Sequence, residues 1–297
     1  MSRRLLWGII IVLLITNIAS ILILTNGSGG NMSDIMDEEN LPKEVAKVGN
    51  DTITADQWIK SLRSAYGEDY LKSLINEKVV FQLAEEYDLA VNEKFMEREL
   101  AITETASGII SEAEREQLRK EWKDDIQYTI YRDELLTRDI VIDEQEIQNY
   151  YSQNQDRFDF ETSYQLSHIV VDDENTAESI LDALNNGQAF GELAEQYSID
   201  TYTNQNGGYL GYFTNDSTYL QNIYFTALNN LEPGQFSEPF ETTEGTVILY
   251  LHHVIPEVEL AYDDVKKHIR RLLAKQKLKV EPSVEVLWEE VGVEWIY

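Results

Sequence analysis

The sequence predicts an α+β protein in which a small antiparallel sheet wrapped by helices is inserted into a mostly helical domain, after an N-terminal transmembrane helix. Three patterns predict this fold class. An uncharged apolar run covers residues 5–25. Between residues 68 and 139, apolar side chains recur every three or four positions, which is typical of amphipathic helices. Between residues 160 and 257, strand-like runs with period two alternate with short helical patterns and glycine-rich turns.

The composition narrows the class of function. The chain has 297 residues, which leaves room for about two domains. It has no cysteine, and this excludes a disulfide scaffold, cysteine-based zinc sites and thiol catalysis. The formal net charge at pH 7 is −30, so the chain repels phosphate backbones. This charge argues against a nucleic-acid partner.

The N-terminus is typical of a membrane anchor. The run over residues 5–25 is long enough, at about 21 residues, for a helix across the hydrocarbon layer. Arg3 and Arg4 precede it, and the positive-inside rule therefore places the N-terminus in the cytoplasm. A cleaved signal peptide is the alternative, but the run is longer than usual and no convincing cleavage site follows it. Residues 1–30 are predicted to be a cytoplasmic tip, a transmembrane anchor and a linker, with the rest of the chain outside the cytoplasm.

The next part of the chain reads as a short hairpin followed by helices. A strand is predicted at 44–48, and a capping-box pattern at Thr54 opens a helix that is predicted to run through Leu62. Further capping boxes begin at Ser111 and Asp143, and they open long helices with apolar faces. The charged residues of these helices are typical of a solvated face, and none of them indicates chemistry.

The pattern changes at about residue 160. Residues 163–171 read as a strand, and two short helical patterns follow it. Residues 204–213 form a glycine-rich turn that leads into an aromatic strand. A short helix, a turn with a strand and a final strand complete the unit. The order β-α-α-β-α-β-β predicts a compact domain over 160–257.

The end of the chain turns helical again after Pro256, and its last residues look like one strand. We predict that this strand pairs with the strand at 44–48. The unit at 160–257 is then an insertion into a discontinuous helical domain formed by 31–159 and 258–297.

One of the four histidines of the chain lies inside the strand at 163–171. Strand alternation places His168 on the same face as Tyr164, Leu166 and Val170. From this pattern alone, a hydrogen-bonded histidine in a packed interior is the better interpretation.

Five segments of 160–257 change that interpretation. They are, in chain order, SHIVV, GELAEQYSID, NGGYLGYF, LNNLEPGQFSEPFET and TTEGTVILYLHHV. In order and spacing they resemble parvulin-type peptidyl-prolyl isomerases. The flanking helices resemble the chaperone domain of PrsA and SurA, which are extracytoplasmic foldases of bacteria. With an anchor and no lipidated cysteine, the chain looks like the YacD-type relatives found in Gram-positive bacteria.

The resemblance implies a shallow groove on the sheet and assigns residues to it. Two catalytic positions match the first-strand histidine and the acidic residue at a helix end, His168 and Asp200. Four positions match the apolar pocket that holds a proline ring: Leu210, Phe213, Leu220 and Tyr224.

The chain departs from the family pattern at one catalytic position. A second groove histidine commonly follows a glycine of the last strand by two residues, and Val247 occupies that position after Gly245. His252 and His253 lie further along the strand and, being adjacent, point to opposite faces. We therefore do not expect them to replace the missing histidine or to bind a metal jointly.

The resemblance implies cis–trans isomerisation of X–Pro bonds in unfolded or partly folded exported proteins, combined with chaperone activity. The reaction needs no metal and no cofactor, because no bond is made or broken. The expected partners are polypeptide clients and, through the N-terminal helix, the cell membrane of a Gram-positive bacterium. Two alternatives remain open: a non-catalytic holdase that uses the same groove, and a membrane assembly factor in which the isomerase-like unit only docks.

Overall fold

The computed structural model describes residues 41–280 and 282–297. The fold mixes helices with a small sheet, as the sequence predicts. The predicted tip, anchor and linker of residues 1–30 lie outside the described residues. Within the described ranges, we find no helix with the length and apolar character needed to cross a membrane.

The chain divides into two compact units, residues 1–74 with Tyr297 and residues 75–296. The described part of the first unit begins with an antiparallel hairpin of β1 (Glu44–Val48) and β2 (Asp51–Thr54). Gly49 has a φ of +62° in the two-residue turn, a conformation that suits a tight hairpin.

Helix α1 (Ala55–Glu86) starts at the predicted capping box. The backbone N–H of Gln57 donates to Thr54 Oγ1 at 3.3 Å, and the N–H of Thr54 donates to Gln57 Oε1 at 3.1 Å. The predicted end at Leu62 is wrong, because the helix continues without interruption to Glu86. Its later part carries the apolar residues that pack against other helices of the second unit, and these residues keep the helical spacing.

The described residues of the second unit form five further α-helices outside the sheet region. They are α2 (Glu93–Thr105), α3 (Glu112–Thr137), α4 (Glu144–Asn154), and, near the end of the chain, α8 (Tyr262–Lys277) and α9 (Trp288–Val291). Side-chain oxygens of Asn92 and Ser111 accept from the first turns of α2 and α3 and so fix where these helices begin.

The C-terminal segment packs against helices from the beginning of the unit. Phe95 of α2 and Ile147 of α4 share one buried cluster with Val265 and Ile269 of α8. The segment also buries Leu287 against α1 and α3. The predicted division into a discontinuous helical domain (31–159 and 258–297) and an inserted domain (160–257) stays a prediction.

The predicted terminal strand is wrong. Residues 284–291 form helical turns, residues 293–297 belong to no strand of the described chain, and β1 pairs with β2. Val284 and Leu287 are three positions apart, and a helical turn buries both of them in the same cluster as Val79. An extended segment would point them in opposite directions.

The sheet region contains five strands and three helices. In chain order they are β3 (Ser163–Val171), α5 (Glu174–Asn185), α6 (Phe190–Tyr197), β4 (Tyr209–Thr214), α7 (Asn222–Leu228), β5 (Gln235–Phe236), β6 (Phe240–Thr242) and β7 (Gly245–Ile255). The strand order is β4-β3-β7-β5, β6 also pairs with β7, and all pairings are antiparallel. Strand β3 is therefore interior, with β7 on one side and β4 on the other.

Alternation along β3 separates two cores. Ile169 and Val171 pack against α5 and α6 on one face of the sheet. Leu166 and Val170 pack on the other face, together with Tyr224 of α7. His168 lies between Leu166 and Val170 in this alternation, and its ring contacts Tyr224. The predicted face of His168 is confirmed.

A buried carboxylate ties the sheet to the helices of the same unit. Glu104, near the end of α2, is 1% exposed. Its Oε1 accepts from Arg115 Nε at 2.9 Å and lies 3.2 Å from His253 Nε2 of β7, while its Oε2 accepts from Arg119 Nη1 at 2.8 Å. Burial raises the pKa of Glu104, but the hydrogen bonds from His253 and Arg119 and the charge of Arg115 outweigh it and hold the pKa below its usual value.

A second contact joins the same two parts. Gln165 of β3 is fully buried, and its Nε2 donates to the backbone oxygen of Gly108 at 2.9 Å and to Tyr209 Oη at 3.0 Å. The connection between α2 and α3 therefore lies directly against the sheet. Two independent polar contacts fix this junction.

A histidine of α8 is held in an apolar environment. The His268 ring lies 4.6 Å from the ring of Phe95, centroid to centroid. Burial lowers the pKa of His268 to about 4, and the charges of Arg271 and Arg98 act in the same direction while Asp133 opposes them. The ring is therefore neutral in the folded protein at pH values where an unfolded chain would protonate it.

We expect the free energy of unfolding to fall as the pH is lowered from 6.5 to 4. In this window the unfolded chain binds a proton at position 268 that the folded chain does not bind, so stability rises with pH. Replacing His268 with Phe removes this proton uptake and should flatten the dependence, by at most about 3 kcal/mol across the window. Urea unfolding at several pH values measures both slopes.

His252 provides the internal comparison, because burial lowers its pKa to about 4 as well. His268→Phe should therefore keep the part of the slope that comes from His252. An unchanged slope in this variant would show that the imidazole at 268 does not titrate as its burial requires.

Candidate functional site

The site is built around the imidazole of His168, which is 4% exposed. Its Nε2 lies 2.8 Å from Asp200 Oδ2, and its Nδ1 lies 2.9 Å from Tyr224 Oη. An ionised carboxylate can only accept a hydrogen bond, so the Nε2 of a neutral ring carries the proton and donates it to Asp200. The Nδ1 of that ring then accepts from the Tyr224 hydroxyl. Both nitrogens have a partner.

Asp200 reaches this ring because the chain after α6 runs along β3. The N–H of Ile199 donates to the backbone oxygen of Val170 at 2.8 Å, and Ser198 Oγ accepts from the N–H of Val170 at 3.1 Å. These two contacts fix the two residues before Asp200 against the strand that carries His168. Asp200 is therefore held next to the His168 side chain, and its place in a client-binding groove stays a prediction.

The Asp200 carboxylate is held by three donors. Besides His168, the hydroxyl of Thr203 donates to Oδ2 and the N–H of Tyr202 donates to Oδ1 at 3.0 Å. Burial raises the pKa of Asp200, but these hydrogen bonds outweigh it and hold the pKa below its usual value. The carboxylate is therefore ionised at neutral pH. Its side chain is 19% exposed, so it reaches solvent where His168 does not.

Tyr224 lies in the first turn of α7 and is 2% exposed. Its ring packs with Leu166, Val247 and Leu249 in the core on this face of the sheet. Burial raises the pKa of its phenol well above the usual value, and the negative charges of Glu244 and Asp200 act in the same direction. In the described conformation this ring is closed to solvent, and its part in holding a proline ring stays a prediction.

The other three predicted pocket residues are half-buried and pack against the same core. They are Leu210, Phe213 and Leu220. Leu210 and Phe213 come from β4, and Leu220 precedes α7. The hydrogen-bonded series from Asp200 through His168 therefore ends at Tyr224, in the cluster against which these three residues pack. Their catalytic and binding roles stay predictions.

Two cavities in the described chain have volumes of about 440 and 380 Å³. The first is lined by residues of 60–69 with Tyr297, and the second lies among α2, α3 and α8. Neither contains a predicted groove residue.

The remaining histidines of the sheet are engaged away from His168. His252 Nε2 lies 2.7 Å from Ser167 Oγ, and His253 contacts Glu104. Val247 is fully buried in the core beside Tyr224. The expectation that neither histidine replaces the missing one agrees with these contacts.

Sequence reasoning assigned Tyr224 to the pocket but missed its hydroxyl as the partner of His168. The sequence did contain one indication of this contact. Position 247 carries Val in place of the family histidine, and position 224 carries an aromatic residue with a hydroxyl that can form a hydrogen bond. Two exposed aromatic residues beside the site were also missed. Tyr202 and Tyr219 are 96% and 90% exposed, next to the Asp200 turn and Leu220 respectively.

A glycine makes the position of His168 possible. The N–H of His168 donates to the backbone oxygen of Gly208 at 2.9 Å, and Gly208 has a φ of +76°. A Cβ added at Gly208 would overlap the backbone oxygen of His168. The glycine therefore permits both the left-handed turn and the close approach of the two chains.

This chain is similar to known proteins over much of its length. A model of the PPIC-type PPIase domain matches residues 142–267. The chain is 33% identical, over 100% of its length and 98% of the relative, to the “Putative peptidyl-prolyl cis-trans isomerase YacD” of Bacillus subtilis. It is 27% identical to the foldase protein PrsA of Oceanobacillus iheyensis, over 84% of this chain and 83% of that one. A solved structure of a SurA-like chaperone from Campylobacter jejuni covers 86% of this chain and 99% of that chain, with 21% identity and a TM-score of 0.38.

We expect Gly208→Ala to cost several kcal/mol of stability and to displace the strand that carries His168, because a left-handed φ and a backbone clash coincide there. Gly234→Ala is the matched control: its φ is +88°, but no atom lies within 4 Å of an added Cβ. It should cost only about 1–2 kcal/mol for the backbone conformation. Thermal unfolding of both variants measures the difference, and equal losses would show that the close approach at Gly208 is unimportant.

Proposed function

Because this chain belongs to the family of PPIC-type peptidyl-prolyl cis-trans isomerases, we propose that it isomerises X–Pro bonds in unfolded or partly folded exported proteins and acts as their chaperone. The full-length relation to a protein named as such an isomerase and the shared PrsA relation support the activity. One structural observation carries the proposal. The ionised carboxylate of Asp200 accepts from His168, and His168 in turn contacts Tyr224 in the cluster against which Leu210, Phe213 and Leu220 pack.

The reaction explains why such a site needs few groups. Rotation about the peptide bond meets a barrier of about 18–20 kcal/mol, and uncatalysed X–Pro exchange takes tens of seconds or longer. In the planar amide, resonance places partial negative charge on the carbonyl oxygen, and twisting removes it. A site that prefers the twisted form by about 1.4 kcal/mol accelerates the exchange tenfold.

The residues divide this work between them. Leu210, Phe213 and Leu220 hold the proline ring and exclude water from one side of the bond. A negative charge fixed beside the carbonyl oxygen disfavours the planar resonance form, and the charge of Asp200 is fixed before the client binds. No bond breaks, and the side chains of the site return unchanged.

A non-catalytic holdase function is supported by separate observations. Val247 occupies the position of a second groove histidine, and His168 is almost sealed from solvent. These two features favour a holdase that grips apolar client segments without accelerating isomerisation. Exposed apolar residues of the first unit, Trp58, Leu62 and Tyr66, offer such segments a surface on α1.

We expect the full-length chain in detergent to accelerate cis-to-trans exchange in a protease-coupled assay with a proline peptide. His168→Ala and Asp200→Ala should each lower kcat/KM at least tenfold, which corresponds to about 1.4 kcal/mol of transition-state stabilisation. Glu178→Ala is the control, because it removes an exposed carboxylate from the same region. A folded protein with no rate above background would refute catalysis, and suppressed aggregation of an unfolded client would then favour the holdase.

The location of the protein is a further proposal. We propose that residues 5–25 cross the membrane once, with the N-terminus in the cytoplasm and the remainder outside. The uncharged apolar run and the preceding Arg3 and Arg4 support this orientation. It would bring the site to chains that emerge unfolded from export.

We expect the full chain, expressed in a Gram-positive host, to remain in the membrane pellet after alkaline extraction. Protease added to protoplasts should degrade the part after residue 30. Replacing Leu13 and Leu14 together with Arg places two charges in the run and should release the protein from the pellet. A mature N-terminus beyond residue 25 would show instead that the run is a cleaved signal peptide.

A further inference from the structure

Tyr224, His168 and Asp200 form a hydrogen-bonded series, and the exposure of their side chains increases along it. Tyr224 is 2% exposed, His168 is 4% exposed, and the Asp200 side chain is 19% exposed. The contacts run from Tyr224 Oη to His168 Nδ1 at 2.9 Å, and from His168 Nε2 to Asp200 Oδ2 at 2.8 Å. Of these three side chains, only that of Asp200 exposes enough surface for a client to contact it.

We propose that Tyr224 is a positioning residue, whose hydroxyl holds His168 in one tautomer and thereby aims the Asp200 carboxylate at the client. This inference rests on the proposed isomerase function and deepens it. It assigns the contact with the client to Asp200 and gives His168 a supporting role. Among the described contacts of the His168 ring, the Tyr224 hydroxyl is the partner of Nδ1.

The contact between the Tyr224 hydroxyl and His168 Nδ1 is favoured by the burial of the phenol. A buried phenol without a partner would lose its hydrogen bond to water at a cost in stability, and the described contact to Nδ1 avoids that loss. Its raised pKa keeps the proton on the oxygen, so the phenol can donate. Since Nδ1 then accepts, the proton of the neutral ring stays on Nε2, where it faces Asp200.

The neighbouring positions explain why this contact matters in this chain. Val247 lies in the same buried cluster as Tyr224, and Leu249 is paired with His168 across β3 and β7. Neither side chain can donate or accept a hydrogen bond. Without the Tyr224 hydroxyl, Nδ1 loses its described partner, only the Asp200 contact still favours the Nε2–H tautomer, and a rotated ring becomes accessible. The proton that faces Asp200 would then be present for only part of the time.

Tyr224→Phe tests the positioning role of Tyr224, because it removes the hydroxyl oxygen and keeps the ring that fills the core. We expect kcat/KM for a proline peptide to fall about tenfold, while the dissociation constant of the peptide changes less than twofold. In ¹⁵N spectra of the imidazole, the wild type should show one protonated nitrogen, and the variant should show signals averaged between two tautomers.

Tyr250→Phe is the matched control, since it removes a tyrosine hydroxyl from β7, where the Tyr250 ring contacts Phe190 and His252. It should leave the rate and the His168 spectrum unchanged. An unchanged His168 spectrum in Tyr224→Phe would refute the positioning role of Tyr224. A loss of peptide affinity equal to the loss of rate also overturns it, because Tyr224 would then act as a wall of the pocket.

The outcomes separate this inference from the proposed function. If the wild type lacks isomerase activity, the proposed function fails, but the ¹⁵N spectra still decide whether Tyr224 sets the tautomer of His168. If the wild type is active and Tyr224→Phe keeps the full rate, the isomerase function stands and the positioning role is refuted.

Discussion

A buried imidazole loses free energy for each nitrogen that lacks a hydrogen-bond partner, and this cost organises the site. His168 sits on an interior strand, so its partners have to come from other parts of the chain. Asp200 comes from the turn after α6, and Tyr224 comes from α7. Each partner is fixed by its own element, the first by contacts along β3 and the second by packing in the core. The position of the carboxylate is therefore a property of the whole sheet region.

The order of strands and helices could be predicted from the sequence because local patterns determine it. Alternation along β3 gave the correct face for His168, and capping residues gave the starts of α1 and α3. Contacts between distant residues were harder to predict. The helical end of the chain depends on the burial of Val284 and Leu287 against α1 and α3, and no local pattern reveals those partners.

The same limit applies to the site. Spacing and resemblance selected the six predicted residues, and the structure links Asp200 and His168 by hydrogen bonds to Tyr224, which belongs to the cluster that the other three pack against. The sequence could not show that Tyr224 is buried or that its hydroxyl meets a ring 56 positions away. An aromatic residue in a pocket and an aromatic residue in a core have the same spacing. Only the three-dimensional packing distinguishes an aromatic residue that lines a pocket from one that is buried in the core.

The junction at Glu104 has a consequence for the order in which the chain is synthesised. Arg115 and Arg119 leave the ribosome soon after Glu104, whereas His253 follows about 150 residues later. Since both arginines lie within 15 positions of Glu104, α2 and α3 can pair the carboxylate without β7. The His253 contact closes a loop of about 150 residues, half of the chain, so it carries a larger entropic cost of loop closure than the contacts with the two arginines.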